Sequence, residues 1–182
     1  MLRTSDILDE NDKHLRAKNI DVEFPLDKNT KKIINDMLEH LYYSQIEEYS
    51  EKYDLRPGMG LAAPQLGVNE RFFVICHEES ENKFKNYILI NPKMISHSEE
   101  LIYASEGEGC LSVNRDVEGI VPRYARVTFT GYDLDGKEIK YRAREELAIA
   151  FQHEMDHLNG ILFIDHIDPK NPFKNKDYMR EI

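Results

Sequence analysis

The spacing of apolar residues predicts helices near both ends of the chain. Between Lys31 and Tyr53 the apolar residues form one continuous stripe at helical spacing, which predicts an amphipathic helix packed against a core. The stripe consists of Ile33, Ile34, Met37, Leu38, Leu41, Tyr42 and Ile46. Thr4–Glu10 predicts a short helix with a Thr or Ser cap, and Glu145–Leu158 predicts a second long helix that stops at Asn159-Gly160.

Between the two long helices the pattern is typical of β-structure. The predicted strands are Phe72–Cys76, Tyr87–Asn91, Glu100–Tyr103, Arg126–Tyr132 and Glu138–Ala143. Asp133–Gly136 is a predicted hairpin turn, and Ile161–Ile164 a predicted short strand. Consecutive strands indicate an α+β fold with a mainly antiparallel sheet rather than a βαβ fold. The second long helix is expected to lie inside, packed between sheets.

Composition narrows the class of protein. The 182 residues, 41% apolar and 32% charged, predict one globular domain spanning residues 1–182. A net charge of -10 argues against broad nucleic-acid binding, so no DNA partner is expected. We predict a cytoplasmic protein without a membrane partner. The two cysteines are isolated, Met1–Lys13 contains no apolar leader, and no apolar run is long enough to span a bilayer. A basic tail, defined as Lys170, Lys174, Lys176 and Arg180, is most simply a solvated end of the chain.

The segment His153–His157, with the sequence HEMDH, combines two histidines and a glutamate in a spacing that suits metal catalysis. Residues four apart on a helix are about 40° apart around its axis, so both imidazoles can bind one metal ion. Glu154 points about 100° away from His153 and can act as a general base without ligating the metal. The segment predicts a metal hydrolase, and the third ligand decides which kind.

Two metallopeptidase patterns are incomplete downstream of this segment. A histidine at position 163 would complete one signature, but that position is Phe163. A glutamate about twenty residues after the second histidine would complete the other. Position 177 is Asp177, and the one later glutamate, Glu181, lies in a tail that is a poor place for a buried ligand.

Cys110, in the segment Glu108–Ser112, is the upstream candidate for the third ligand. A thiolate and two imidazoles would leave the fourth tetrahedral position open, as catalytic sites require. Cys110 by itself is equally compatible with a buried structural thiol, the role predicted for Cys76. The glycine-rich segment Gly58–Gln65 lacks the Gly-Lys-Ser/Thr of a phosphate loop, and the Gln65 amide would suit an oxyanion hole.

Together these three segments resemble the peptide deformylase family. Its motifs are G-x-G-x-A-A-P-Q, E-G-C-x-S and H-E-x-D-H, where x is apolar, and all three are complete and in the same order here. The resemblance extends over about Asp6–Asp168. It implies antiparallel sheets packed around a central metal-binding helix. It also implies an enzyme that removes the N-formyl group from the N-terminal formylmethionine of nascent polypeptides and releases formate.

The resemblance also implies roles for individual residues. The metal ligands would be Cys110, His153 and His157, with Glu154 as general acid and base. The oxyanion hole would consist of the Gln65 side chain and the Leu111 backbone N–H. The backbone groups that pair with an extended substrate would belong to Gly60 and Gly109. The methionine pocket would be formed by Met59, Ile149, Ala150 and His153.

The cofactor and the mechanism follow from the same resemblance. Family members carry Fe²⁺ in the cell and work with Ni²⁺, Co²⁺ and, usually less well, Zn²⁺, whereas the residues alone would suggest zinc. One Fe²⁺ per chain is therefore expected. Water activated at the metal would lose a proton to Glu154 and attack the formyl carbon, and Glu154 would then protonate the departing amine.

Departures from the family pattern indicate a subclass. Asn114 stands where many members have proline. The segment Asn114–Gly119 is one residue longer than in the short subclass, and Leu41–Pro57 is extended, as in the Gram-positive-type (type II) subclass. The other subclass docks on the ribosome through a long C-terminal helix, which Pro169 and Pro172 exclude here. A different or weaker transient ribosome contact, through the basic tail, is expected instead.

Arg123 is a candidate partner for an acid behind the metal ligands or for the Cys110 thiolate. A metallopeptidase that uses the same helix is one alternative function, and a comparison of formylated with unblocked peptides would separate the two. A noncatalytic deformylase-like binding module is the other alternative, although every catalytic position is filled.

Overall fold

The structure is a computed structural model that describes residues 2–182, with three α-helices and eight β-strands in that range. The helices are α1 (Lys28–Ser44), α2 (Glu47–Tyr53) and α3 (Glu145–Leu158). The strands are β1 (Gly60–Ala62), β2 (Phe72–Ser80), β3 (Lys83–His97), β4 (Leu101–Tyr103), β5 (Arg123–Tyr124), β6 (Arg126–Tyr132), β7 (Glu138–Arg144) and β8 (Arg180–Glu181). The predicted α+β fold is confirmed.

Two sheets lie on either side of α3. The larger sheet has the order β1-β2-β3-β6-β7 and is antiparallel throughout. The smaller has the order β5-β4-β8, with β8 parallel to β4. Phe73 and Phe129 of the larger sheet pack on Phe151 of α3, with ring centroids 5.8 and 5.4 Å away. Ile149 of α3 joins Ile102 of the smaller sheet in a separate apolar cluster, so α3 lies between the sheets as expected.

The β6–β7 hairpin shows why these strands form. Val127 and Phe129 alternate with more exposed residues and face the core. In the turn, the Asp133 carboxylate accepts two backbone N–H bonds at 2.9 Å, and Gly136 adopts a φ of 76°. The predicted bounds Arg126–Tyr132 are reproduced. β1, β5 and β8 were not predicted because strands of two or three residues are too short for alternation to show.

The predicted helix over residues 31–53 is wrong in its extent, because α1 and α2 are separate. The Asp27 carboxylate accepts a hydrogen bond from the Thr30 N–H at 2.7 Å, so α1 begins before the apolar stripe. The chain leaves the α1 path at Gln45, and Ile46 is extended before α2 begins. The apolar spacing continues across this break, so the pattern alone could not reveal it.

Two short elements also differ from the prediction. At the N-terminus the helix predicted over Thr4–Glu10 is a 3-10 turn over Thr4–Asp6. Its N-cap residue is Arg3, not a Thr or Ser, and the side chain of Asp6, the third residue of the turn, accepts a hydrogen bond from the Arg3 N–H at 2.8 Å.

After α3, the strand predicted over Ile161–Ile164 is wrong, because Phe163–His166 form a 3-10 helix. The Asp165 carboxylate accepts a hydrogen bond from the Leu162 N–H at 2.8 Å, and this local polar contact outweighs the β-preference of the apolar run.

The second face of the larger sheet and α1 enclose the other main part of the core, which includes Ile34, Leu41 and Val74. Both cysteines are free. Cys76 on β2 is fully buried, as expected for a structural thiol, and burial raises the pKa of its thiol to about 11. Within residues 2–182, no helix has the length and apolar character needed to cross a bilayer.

Candidate metal centre and active site

The structure brings the three predicted metal ligands together. Helix α3 supplies His153 and His157 from adjacent turns, and the loop between β4 and β5 supplies Cys110. The ligand atoms of the three residues lie within 4.8 Å of one another, and all three side chains are buried. Cys110 Sγ is 3.4 Å from His157 Nε2.

Two donors point at the Cys110 sulfur. The Ser112 N–H lies 3.4 Å from Sγ, and Gln65 Nε2 lies 3.7 Å from it. A thiolate is the form of cysteine that binds metals. One thiolate and two imidazoles on a buried centre fit a single divalent ion with a fourth, open position.

Charged side chains support His153 from behind. His153 Nδ1 is 2.8 Å from Glu108 Oε2, which leaves Nε2 for the metal. Arg123 donates to both Glu108 oxygens, at 2.7 and 3.0 Å, and to Asp156 Oδ2 at 2.6 Å. Burial would raise the pKa of Glu108, but Arg123 and His153 outweigh it and lower that pKa to about 2. The partner of Arg123 is therefore a pair of acids, not the Cys110 thiolate.

The two histidines differ in their preferred protonation states. Burial lowers the pKa of both imidazoles. For His153, hydrogen bonds with Cys110 and Glu108 outweigh burial and raise the pKa. For His157, burial and the positive charge of His153 hold the pKa well below its usual value. A neutral imidazole is the form that ligates metals, so His157 is already in that form.

Glu154 is buried next to the ligands, with 4% of its surface exposed. Burial raises the pKa of its carboxyl to about 7. Its Oε2 has no hydrogen-bond partner within residues 2–182. A Cβ atom at Gly60 would overlap Glu154 Oε1, so only glycine lets β1 approach this carboxyl so closely. A carboxyl that titrates near neutrality can both accept and release a proton.

The two predicted oxyanion-hole residues, Gln65 and Leu111, lie close to Cys110, Gln65 by contact and Leu111 as its neighbour in the chain. Gln65 Oε1 accepts a hydrogen bond from the Ala62 N–H at 2.9 Å, which orients the amide so that Nε2 faces Ser112 Oγ at 3.1 Å. The Leu111 N–H makes no hydrogen bond to another described residue. Gln65 and Leu111 both line the cavity at the candidate metal centre, and their role in an oxyanion hole stays a prediction.

A cavity of about 600 Å³ opens onto this centre. Its wall includes Cys110, His153, Glu154 and Gln65, whereas His157 does not line it. All five predicted substrate-binding residues line the cavity, namely Met59, Gly60, Gly109, Ile149 and Ala150. The sequence-predicted residues therefore surround one space that can hold a ligand.

The sequence analysis assigned no role to Arg56, Glu108, Asp156 and Ile182, which also surround the site. Arg56 Nη2 donates to two carbonyls of the Cys110 loop at 2.9 Å and holds that loop in place. Glu108 lies in the segment Glu108–Ser112, and Asp156 lies in the segment His153–His157. Because both acids are close in sequence to predicted ligands, a role in supporting those ligands could have been predicted. Nothing in the local sequence marks Arg56 or Ile182.

Comparison with known proteins agrees with this geometry. Residues 4–173 match the sequence model of the family described as polypeptide deformylase. The chain belongs to the peptide deformylase family. A Macrococcus caseolyticus protein named peptide deformylase is 50% identical over 175 residues, which are 96% of this chain and 95% of the relative. A Bacillus subtilis protein named peptide deformylase 2 is 45% identical over 177 residues, 97% of this chain and 96% of the relative.

Solved structures give the same result. A peptide deformylase from Thermotoga maritima has a TM-score of 0.71 at 33% identity and covers 90% of this chain and 97% of its own. A peptide deformylase from Legionella pneumophila has a TM-score of 0.72 at 32% identity, and the match covers 94% of this chain and 90% of that protein. Peptide deformylases are metal-dependent hydrolases that remove the N-formyl group from nascent polypeptides, so the predicted reaction class is confirmed. Relatives named peptide deformylase 2 agree with the predicted subclass.

Proposed function

We propose that Cys110, His153 and His157 hold one divalent metal ion, Fe²⁺ in the cell, for removal of the formyl group from N-terminal formylmethionine. The observation that carries this proposal is the convergence of three donor atoms within 4.8 Å, beside buried Glu154 and at the end of a cavity. When bound, the metal supplies Lewis-acid chemistry, because it polarises a carbonyl and makes water more acidic. Ni²⁺, Co²⁺ and Zn²⁺ suit the same donors.

Glu154 moves the protons of the proposed reaction. Its unpartnered Oε2 takes a proton from the water whose oxygen forms the new bond to the formyl carbon. The same carboxyl gives that proton to the amine nitrogen as the C–N bond breaks, and formate leaves. A pKa of about 7 suits both the uptake and the release.

Two fixed donors would stabilise the charge that develops on the formyl oxygen. The Gln65 amide is oriented by its bond to Ala62, and the Leu111 N–H is unused in the described part of the chain. Donors held in position before the reaction need no reorganisation when the negative charge forms.

The edge strand β1 offers a place for the peptide backbone. β1 is the first strand of its sheet, paired on one side with β2, and Gly60 lines the cavity. An extended peptide can add to such an edge, with backbone bonds to Gly60 and, across the cavity, to Gly109. The methionine side chain would lie among Met59, Ile149, Ala150 and His153.

The direct test is formate release from formyl-Met-Ala-Ser by the metal-loaded protein. The matched peptides are acetyl-Met-Ala-Ser and unblocked Met-Ala-Ser. We expect formate from the first peptide and no cleavage of the other two. Cleavage of the unblocked peptide would favour the metallopeptidase alternative. Tight binding of the formylated peptide without turnover would favour the noncatalytic binding module.

We further propose that the protein works in the cytoplasm on nascent chains, with a transient ribosome contact and no DNA or membrane partner. Much of the basic tail is neutralised within the structure. Lys174 pairs with Asp168, Lys176 with Glu181, and Arg180 with Glu100 and Glu145. A ribosome contact through this tail would therefore depend mainly on Lys170 and on Lys174, which would exchange its exposed ion pair with Asp168 for one with a phosphate.

A charge reversal tests the tail contact without disturbing β8. We expect Lys170→Glu with Lys174→Glu to weaken co-sedimentation with ribosomes at low salt, because two phosphate-binding cations are replaced by anions. Lys13→Glu with Lys18→Glu, also exposed, is the control for net charge. Equal co-sedimentation of both double variants would contradict a contact through the tail.

A further inference from the structure

Ile182, which directly follows β8, forms part of the cavity wall, although it belongs to none of the three family motifs. Ile182 lines the cavity together with Ile149 and Ala150. Its side chain packs on the buried cluster that contains Ile102 and Ile149. A residue remote in sequence from the motifs therefore contacts the predicted methionine pocket.

The backbone of Ile182 is held on both sides. Its N–H donates to the Tyr103 carbonyl at 3.0 Å, and its carbonyl accepts a bond from the Ser105 N–H at 2.9 Å. The Tyr103 hydroxyl donates to Glu181 Oε2 at 2.6 Å. These bonds continue the parallel pairing of β8 with β4 into the cavity rim.

Arg180 ties β8 to the metal-binding helix. Its guanidinium donates to Glu100 Oε1 at 2.8 Å and to both oxygens of Glu145, at 2.7 and 2.9 Å. Glu145 is the first residue of α3, the helix that carries His153. The position of Ile182 relative to the candidate active site is therefore fixed by charge-assisted bonds as well as by packing.

The part of the cavity wall that α3 supplies changes from apolar to acidic along the helix. Ile149 precedes His153 by four residues, about 6 Å along the helix axis. Glu145 and Glu146, one turn further from His153, also line the cavity, so its wall becomes acidic beyond Ile149. Ile182 packs on the cluster that contains Ile149, so it contacts the apolar part of this wall.

We infer, on the basis of the proposed function, that Ile182 is a specificity-determining residue that closes the pocket for the substrate's first side chain and limits its length. Arg180 is a positioning residue that holds Ile182 there. An apolar end wall separates the methionine side chain from Glu145 and Glu146 and leaves no space for a longer one. One methylene in a tight pocket changes discrimination by about 10- to 200-fold.

Peptide binding tests this inference separately from catalysis. The metal-loaded Glu154→Ala protein is titrated calorimetrically with formyl-Met-Ala-Ser and with formyl-ethionyl-Ala-Ser, whose first side chain is one methylene longer. Adding Ile182→Ala should lower the ethionyl-to-methionyl ratio of Kd values by about tenfold. Ile182→Leu, which conserves volume, should keep the ratio, and Arg180→Ala should shift it in the same direction as Ile182→Ala.

Ile95→Ala is the matched control, because Ile95 is a half-exposed isoleucine on β3 that does not line the cavity. The inference would be overturned by an unchanged ratio of Kd values in Ile182→Ala or by an equal shift of that ratio in Ile95→Ala. It would also be overturned if neither peptide binds. If Ile182→Ala does not fold, Ile182→Val should show a smaller shift in the same direction, and no shift would count against Ile182. Wild-type protein that binds both peptides but releases no formate would contradict the proposed function alone, while the ratio would still decide the role of Ile182.

Discussion

At the scale of single residues, the buried carboxyl of Glu154 is the group on which the proposed proton transfers depend. Glu154→Ala should lower formate release by about a hundredfold or more, because no other described group replaces it as base and acid. Metal content, measured by elemental analysis, should stay at one ion per chain, because Glu154 is not among the three converging donors. Loss of the metal together with the activity would instead give Glu154 a structural role. Glu154→Gln is less suitable, because the amide hydrolyses slowly on storage.

The two glycines predicted to contact substrate differ in the space around them. A Cβ at Gly60 would overlap Glu154 Oε1, whereas a Cβ at Gly109 would have no atom within 4 Å. Gly60→Ala should therefore displace the catalytic carboxyl and lower kcat by about a hundredfold. Gly109→Ala should keep kcat within about threefold of wild type, because its effect is limited to substrate contact. Equal losses of kcat in steady-state formate assays would contradict this difference.

At the scale of elements, α3 is held in position by Arg123, which lies on β5. Arg123→Met should destabilise the metal-free protein by about 3–5 kcal/mol, because the buried Glu108 carboxylate and the partly buried Asp156 carboxylate both lose the guanidinium between them. Urea unfolding measures this change. Arg126→Met, which removes an arginine with 58% of its side chain exposed, should cost about 1 kcal/mol or less.

The same substitution should also affect the metal. Without Arg123, Glu108 would be less firmly oriented against His153, and metal affinity should fall about 10- to 100-fold in a chelator competition. Equal metal affinity in Arg123→Met and Arg126→Met would contradict a role for this network in supporting His153.

The elements also show where local sequence is a sufficient guide. The bounds of α3 and β6 match the prediction because both elements are long and their apolar faces contact one core. The break at Gln45 and the 3-10 helix Phe163–His166 were missed, because side-chain to backbone bonds determined them rather than periodicity. β8 was missed because a strand of two residues is too short for alternation to show.

At the scale of the whole molecule, metal binding and folding should be coupled. The loop that carries Cys110 and the helix that carries His153 and His157 come together only in the folded chain, so the metal binds the folded state preferentially. Removal of the metal by a chelator should lower the Tm by on the order of 10 °C, as expected for a ligand far above its Kd. Cys110→Ser should abolish the difference between the chelated and metal-supplemented protein in differential scanning calorimetry. A chelator effect of the same size in that variant would exclude Cys110 as the main ligand.

The fold class, the two main helices in outline and the residue types of the candidate site could all be predicted from the amino-acid sequence. The periodicity of apolar residues indicates which face of an element is buried, and the spacing of His153 and His157 indicates that they share one face of a helix. Packing of distant segments, by contrast, joins Glu108, Arg123 and Asp156 into one ion-pair network behind α3 and brings Ile182 to the cavity wall. Contacts between distant segments depend on how whole elements pack, and no local pattern in the chain encodes that packing.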